Sequence, residues 1–382
     1  MPSMASGRFV FRRLSSTTTI SNISNEILFE IPSLDDDQTI VITSPTINLI
    51  YKVFFPCLIF IGTCGSIMSL KCLYAQRFRN NNSTYMFFFL IALVDLAILY
   101  TGALRLLVLA LTEFDVRSTS LFICRAHRFT TYFLLQLSSS LLALMTLDRA
   151  RKTLSMLPPL KKAITTLRST QLLTNSDNHT LRNTFLKQSK ILWITCFVVL
   201  LLLILDSHFF YCTGYQHGKI KHRIICQSVA HNLHCRRYWL LYLWFDAFLY
   251  SYLPMLIIMI CNVRLVIYLK QQRKRRLALI SSTIHLSNNH RITFSVILMS
   301  ILFLIFSVPV AFLEQFEYKL NHYKYFHHCL AIAYLAMYLN HTISFFLFLF
   351  GTHFRQSVKE LIWAQATGLP RSNTTLFALV PK

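Results

Sequence analysis

Seven long apolar stretches alternate with polar segments along the chain. They run from Leu49 to Leu73, Tyr85 to Leu111, Leu121 to Leu147, Ile191 to Tyr211, Tyr238 to Leu269, Ile292 to Leu313 and Cys329 to Phe350. About 20 apolar residues in a helix cross a bilayer, whereas strands of a membrane barrel are about 10 residues long and alternate in polarity. The pattern therefore predicts an all-α membrane protein, with a bundle of seven transmembrane helices in residues 49–352.

Polar segments lie on both sides of this predicted bundle. Residues 1–48 have no continuous apolar core and are rich in Ser, Thr and Asn, which predicts a disordered N-terminal segment. Because no signal peptide is visible there, the first span is expected to act as the insertion signal. Residues 353–382 are predicted to begin with a short amphipathic helix, Phe354 to Trp363, on the inner membrane surface and to continue as a cytoplasmic tail.

Charge then fixes the expected orientation. The net charge of +23 raises nucleic-acid binding as an alternative, but most Lys and Arg residues lie between the apolar stretches. With an outer N-terminus, the inner segments hold 18 basic residues and the outer loops hold 8. Cytoplasmic loops collect Lys and Arg, so the count predicts an outer N-terminus and no nucleic-acid partner. In this orientation the sequon at Asn22 faces outward and is the predicted glycosylation site.

The third span carries a polar motif at its inner end. Cys124 and Arg149 are 25 residues apart, which is about 37 Å of helix and places them at opposite membrane surfaces. The run from Leu147 through Asp148 and Arg149 to Ala150 resembles the Asp-Arg-Tyr motif of rhodopsin-like G-protein-coupled receptors.

Other spans carry landmarks of the same family in the same order. They are Asp95 in the second span, Trp193 in the fourth, Pro254 in the fifth, Phe303 and Pro309 in the sixth, and Leu339 to Phe348 as a variant of the seventh-span Asn-Pro-x-x-Tyr region. The resemblance covers about Leu49 to Trp363. Some positions depart from the family pattern, among them Ser307, which stands where a tryptophan is usual.

This resemblance implies a receptor that signals to a heterotrimeric G protein. Asp148 and Arg149 would form the contact with the G protein, and Phe303, Ser307 and Pro309 would form the activation switch. A sodium ion would be bound by Asp95, Ser138, Asn340 and Ser344, since hard cations take oxygen ligands. No other cofactor is expected.

Ten cysteines are scattered along the chain without metal-ligand spacing, so most are expected to be buried thiols. Cys124 faces the oxidising exterior and is predicted to pair with Cys226. Cys212 and Cys235 compete as partners, because spacing alone does not determine connectivity.

The outer half of the bundle indicates the kind of ligand. Thr131 stands where amine receptors carry an aspartate, and Tyr338 stands where visual pigments carry the retinal-binding lysine. Arg105, Asp246 and Glu314 are charged residues within spans, and such residues usually face a water-filled cavity.

We therefore expect these five residues to line a pocket for a polar ligand, and a peptide fits best. The seventh span also resembles invertebrate receptors for short amidated neuropeptides. Arg105 is predicted to meet a carboxylate or amide carbonyl of the ligand, and Asp246 or Glu314 a basic side chain. The alternative for Arg105 is pairing with acids of the protein alone.

Two other functions also fit a chain with seven membrane spans and remain as alternatives. One is a seven-span chemosensory receptor for a small molecule, and the other is a transporter. A transporter would be expected to show internal repeats and interrupted helices, and this sequence has only 8 glycines and no visible repeat. No nucleophile and base are assembled in the sequence, so an enzyme is not expected.

Overall fold

The computed structural model describes residues 45–79, 83–155, 177–217, 224–228, 235, 242, 244–278, 287–316, 320, 323 and 325–348. Within this part, seven helices are long and apolar enough to cross a membrane. Spans 1 to 7 are Pro45–Tyr74, Ser83–Thr112, Leu121–Lys152, Leu192–Cys212, Trp244–Gln271, Thr293–Gln315 and Phe326–Phe346. The protein is an all-α membrane protein with a seven-helix bundle, which confirms the fold class predicted from the apolar pattern.

Several helices continue beyond the apolar spans. The long helices are Pro45–Arg79, Ser83–Ile98, Leu104–Thr112, Leu121–Ser155, Asp177–Asp206, Leu253–Ala278, Ser287–Gln315 and Phe326–Phe348. Two short turns, Val116–Ser118 and Phe209–Cys212, lie at the end of the bundle that the basic-residue count predicts to be outer. The words outer and inner refer below to this predicted orientation. The first helix begins at Pro45, inside the segment predicted to be disordered, because proline is favoured in the first turn of a helix.

The outside of the bundle is apolar. On span 4, Trp193 and Phe197 are 74% and 66% exposed, and Ile204 is also exposed. A continuous exposed face of this kind would be costly in water and is stable against lipid tails. The interior contains large buried side chains from several spans, including Phe55, Phe87 and Met145 in one core cluster.

Two spans contain a short π-helical segment in their outer halves. These segments are Leu99–Ala103 in span 2 and Phe248–Tyr252 in span 5. The second directly precedes Leu253 and Pro254; because proline has no N–H to donate to the preceding turn, it favours a wider turn there. Such segments are frequent at functional sites, and both lie next to the cavity described below.

A two-stranded hairpin covers the outer side between spans 4 and 5. Strand β1, Thr213–His217, pairs antiparallel with β2, Ile224–Ser228, and Tyr215 lies opposite Cys226. A disulfide joins Cys226 to Cys124 at the outer end of span 3, with 5.7 Å between the Cα atoms. This is the predicted pair.

A second disulfide joins Cys212 to Cys235, which the sequence suggested only as competitors for Cys124. The expectation that most cysteines are buried thiols is wrong. Of the six free cysteines in the described residues, only Cys72 and Cys261 are buried, and the other four are exposed on the apolar spans.

Some predictions fall outside the described residues. They concern the N-terminal segment before Pro45 with the sequon at Asn22, the amphipathic helix from Phe354 to Trp363 with its tail, and most of the inner loop after Ser155.

Candidate functional site

A cavity lies among the outer halves of spans 2, 3, 5, 6 and 7. Its lining includes all five residues predicted to meet a ligand: Arg105, Thr131, Asp246, Glu314 and Tyr338. Charged residues within a membrane span avoid lipid, and this preference explains why separate spans direct these side chains to one place. The cavity holds about 80 Å³, which is small for a pocket at the centre of a membrane bundle.

Arg105 is bound to an acid of the first outer loop. Its Nε and Nη2 atoms donate to the two oxygens of Asp115 at 3.2 and 2.8 Å. Arg117 donates to the same carboxylate through Nη2 at 2.8 Å and through its backbone N–H at 3.0 Å. Asp115 therefore accepts hydrogen bonds from two guanidinium groups, and it also caps the short turn Val116–Ser118.

This arrangement determines the charge at the cavity mouth. Burial works to raise the pKa of Asp115, but the charges and hydrogen bonds of Arg105 and Arg117 outweigh it and hold that pKa well below its usual range. The carboxylate is thus ionised at ordinary pH. Among the described residues, this contact joins two guanidinium groups to one carboxylate, and both arginines line the cavity.

A third arginine, which the sequence analysis did not select, also lines the cavity. Arg128 is buried on span 3, and its guanidinium lies 5.6 Å from the ring centroid of Phe209 at the end of span 4. Contacts between arginine and an aromatic face are favourable in a desolvated site. The sequence did carry a signal for Arg128 as a cavity residue, since this arginine lies inside an apolar stretch.

His127 connects the cavity to the π-helical segment of span 2. Its Nε2 atom lies 2.8 Å from the carbonyl oxygen of Thr101, and since a carbonyl only accepts, Nε2 carries the hydrogen. Thr131 lies one turn further along span 3, and its hydroxyl donates to the His127 carbonyl at 2.8 Å. Thr131 is therefore a polar lining residue with no charge.

Carboxylates of spans 4, 5 and 6 form a second polar group in or beside the cavity. Asp246 on span 5 is half-buried, and its Oδ1 accepts a hydrogen bond from Gln136 Nε2 at 2.6 Å. Gln136 also donates to Tyr242 Oη at 3.2 Å, and Tyr242 donates to the fully buried Asp206 at 2.7 Å. Neither aspartate forms a salt bridge within the described residues.

Glu314 on span 6 is the third carboxylate of this group, after Asp246 and Asp206. Tyr334 Oη donates a hydrogen bond to it at 2.6 Å. Tyr338 lies one turn after Tyr334 and contacts span 2 at Gly102, where an added Cβ would lie 2.2 Å from the tyrosine oxygen. Any larger residue at Gly102 would therefore displace Tyr338 from the cavity wall.

The inner end of the bundle contains the predicted G-protein contact residues. Asp148 and Arg149 are both buried, at 7% and 5% exposure. Asp148 Oδ2 accepts hydrogen bonds from Ser83 of span 2 at 2.7 Å and from Lys152 at 2.8 Å, and Lys152 also contacts Ser83. The pair thus belongs to a polar cluster joining spans 2 and 3, and its coupling role stays a prediction.

The predicted activation switch lies between these two regions. Phe303 is buried in the main core cluster, and Ser307 is buried one turn later. Pro309 lies inside the helix Ser287–Gln315. These positions are in the middle of span 6, where a bend would move the inner end of the helix relative to span 3.

The structure places a histidine against the first of the four predicted sodium ligands. Asp95 Oδ1 and His341 Nδ1 lie 2.7 Å apart and share a hydrogen bond. Ser138 and Ser344 are buried, and Ser344 donates to the backbone carbonyl of Asn340 at 3.4 Å. Sodium takes oxygen ligands, and the ring beside Asp95 presents a nitrogen instead.

Comparison with known proteins assigns no family to the chain. No protein-family model matches it, and no curated protein matches it.

Proposed function

We propose that this protein is a G-protein-coupled receptor for a peptide ligand. Seven spans alone fit a membrane receptor or a transporter in general. The observation that carries the more specific proposal is the outer cavity, whose lining combines three arginines with two carboxylates. The family resemblance of the inner Asp148–Arg149 pair supports a G protein as the intracellular partner.

The charges of the cavity favour a ligand with two different polar ends. Arg105, Arg117 and Arg128 all line the cavity, and guanidinium groups bind a carboxylate or an amide carbonyl well. Asp246 has no salt bridge in the described part of the chain and would receive a basic side chain. A short peptide carries both kinds of group.

The size of the cavity favours the insertion of one end of a ligand over the enclosure of a whole molecule. Its volume of about 80 Å³ is well below the roughly 300–1,000 Å³ of pockets that bury a whole small ligand. The end of a peptide would enter, while the rest would contact the outer loops and the hairpin β1–β2. The same comparison weighs against the small-molecule chemosensory alternative.

A transporter has less support. Transporter sites are typically built where spanning helices unwind near the membrane midplane. Within the described ranges, spans 2 and 5 widen into π-helical segments but remain helical, and span 4 has a two-residue turn at 207–208 close to one end. None of the described spans is unwound near its middle. We therefore favour a receptor in the plasma membrane with its N-terminus outside, the orientation that the inner excess of Lys and Arg indicates.

Arg105→Ala is expected to lower the potency of an activating peptide by about 30-fold or more, since truncating one partner of a buried charge pair costs about 2–5 kcal/mol. The measurement is a dose–response curve for synthetic short peptides, in amidated and free-acid forms, on cells expressing each variant.

Asp115→Asn distinguishes between two roles of Arg105, namely binding the ligand and holding the first outer loop. This substitution removes the acid that engages Arg105 but keeps the arginine, so a ligand-binding role predicts unchanged or higher potency. If Arg105 only holds the loop, Asp115→Asn lowers potency as much as Arg105→Ala does. Activation by a monoamine alone would contradict the peptide proposal.

A further inference from the structure

The centre of the bundle contains a buried acid–imidazole pair that links spans 2 and 7. Asp95 is 1% exposed and His341 is 3% exposed, and 2.7 Å separates Oδ1 of the acid from Nδ1 of the ring. Among the described residues, no third His, Cys, Asp or Glu lies close enough to form a cluster with them. A buried carboxylate requires a partner, and His341 supplies it.

We infer that the imidazole of His341 takes the place of the sodium ion that the family resemblance implies beside Asp95, and that the bundle does not bind sodium there. Nδ1 and Oδ1 lie within hydrogen-bond distance, so the ring fills the place beside the oxygen that a cation would need. Sodium would have to break the bond and displace the ring.

The packing of span 7 leaves little room for such a displacement. At Gly62 of span 1, an added Cβ would lie 3.0 Å from Thr342 Oγ1, and at Gly65 it would lie 2.8 Å from Phe345 Cβ. The residues that follow His341 are therefore held tightly against span 1. This close approach fixes the helix with His341 directed at Asp95.

The remaining polar atoms of the pair also favour a neutral bridge over a cation. Asp95 Oδ2 and His341 Nε2 have no hydrogen-bond partner within the described residues. Water can bind to each of them, since it donates and accepts. From the pair itself, a hard cation would receive one carboxylate oxygen and an aromatic nitrogen, which is a poor ligand set for it.

The test is the thermal unfolding of the purified full-length protein in sodium chloride and in choline chloride, each at about 0.15 M. Wild type is expected to unfold at the same temperature in both salts, within about 1 °C. His341→Asn removes the ring and offers an amide oxygen, so sodium is expected to raise its midpoint by about 3 °C or more. Asp95→Asn in the same background should remove that rise.

His127→Asn is the matched control, because His127 also bonds another span but lies in the outer cavity. It should show no sodium response. Stabilisation of wild type by sodium would overturn the inference, and so would a folded His341→Asn protein without a sodium response. If His341→Asn does not fold, His341→Ser replaces it. Since unfolding is measured without ligand or G protein, failure here leaves the proposed receptor function untouched.

Discussion

Arg149→Ala is expected to abolish G-protein activation while surface expression stays near the wild-type level. Arg149 lies buried at the inner end of span 3, far from the ligand cavity at the outer end. Removing a buried guanidinium also removes its desolvation cost, so the fold should tolerate alanine better than the signalling interface does. Activation would be read with G-protein reporters, and surface level with an epitope tag before Ile20 on intact cells.

Arg151→Ala is the matched control for this substitution. Arg151 lies two residues later on the same helix, but its side chain is exposed. We expect it to signal nearly as wild type does. A fully signalling Arg149→Ala variant would contradict the proposed coupling role of Arg149. A tag that is stained only after permeabilisation would contradict the proposed outer N-terminus.

Cys124→Ser is expected to remove most of the correctly folded protein from the cell surface. The Cys124–Cys226 bond joins residues 102 positions apart. Closing a loop of that size restricts the unfolded chain by about 4–5 kcal/mol in the entropic account, a large part of the roughly 5–15 kcal/mol by which proteins are stable. Cys212→Ser opens a bond across only 23 positions, and a smaller loss of about 3 kcal/mol is expected.

Cys64→Ser provides the control for replacing a thiol as such, because Cys64 is free and exposed on span 1. Its surface level and unfolding temperature should match wild type. If Cys124→Ser behaves like Cys64→Ser, or if peptide mapping finds Cys124 as a free thiol, the disulfide does not stabilise the protein as argued.

The sequence could predict those features that follow from the membrane as solvent. A span must be apolar over about 20 residues, so each helix is visible by itself. Charged residues within spans must face the interior, so Arg105, Asp246 and Glu314 could be assigned to one cavity without knowing the helix rotations.

Features that depend on partners from distant segments could not be predicted in the same way. Arg105 has its acid partner in Asp115, which as a loop residue carried no signal of its own. The pairing of Cys212 with Cys235 depends on how the outer loop folds, which spacing does not determine. His341 was visible as an ionisable residue in a span, but its bond to Asp95 depends on the rotation of span 7.

The proposed receptor function is tested most directly by a peptide screen with reporters for several G-protein classes, in cells that display the N-terminal tag. We predict that a short peptide with a basic side chain activates a G-protein reporter in cells expressing wild type, and that it has no effect in cells expressing Arg149→Ala. If the protein is present at the surface and responds to a monoamine but to no peptide, or gives the same response with Arg149→Ala, the proposed function is contradicted.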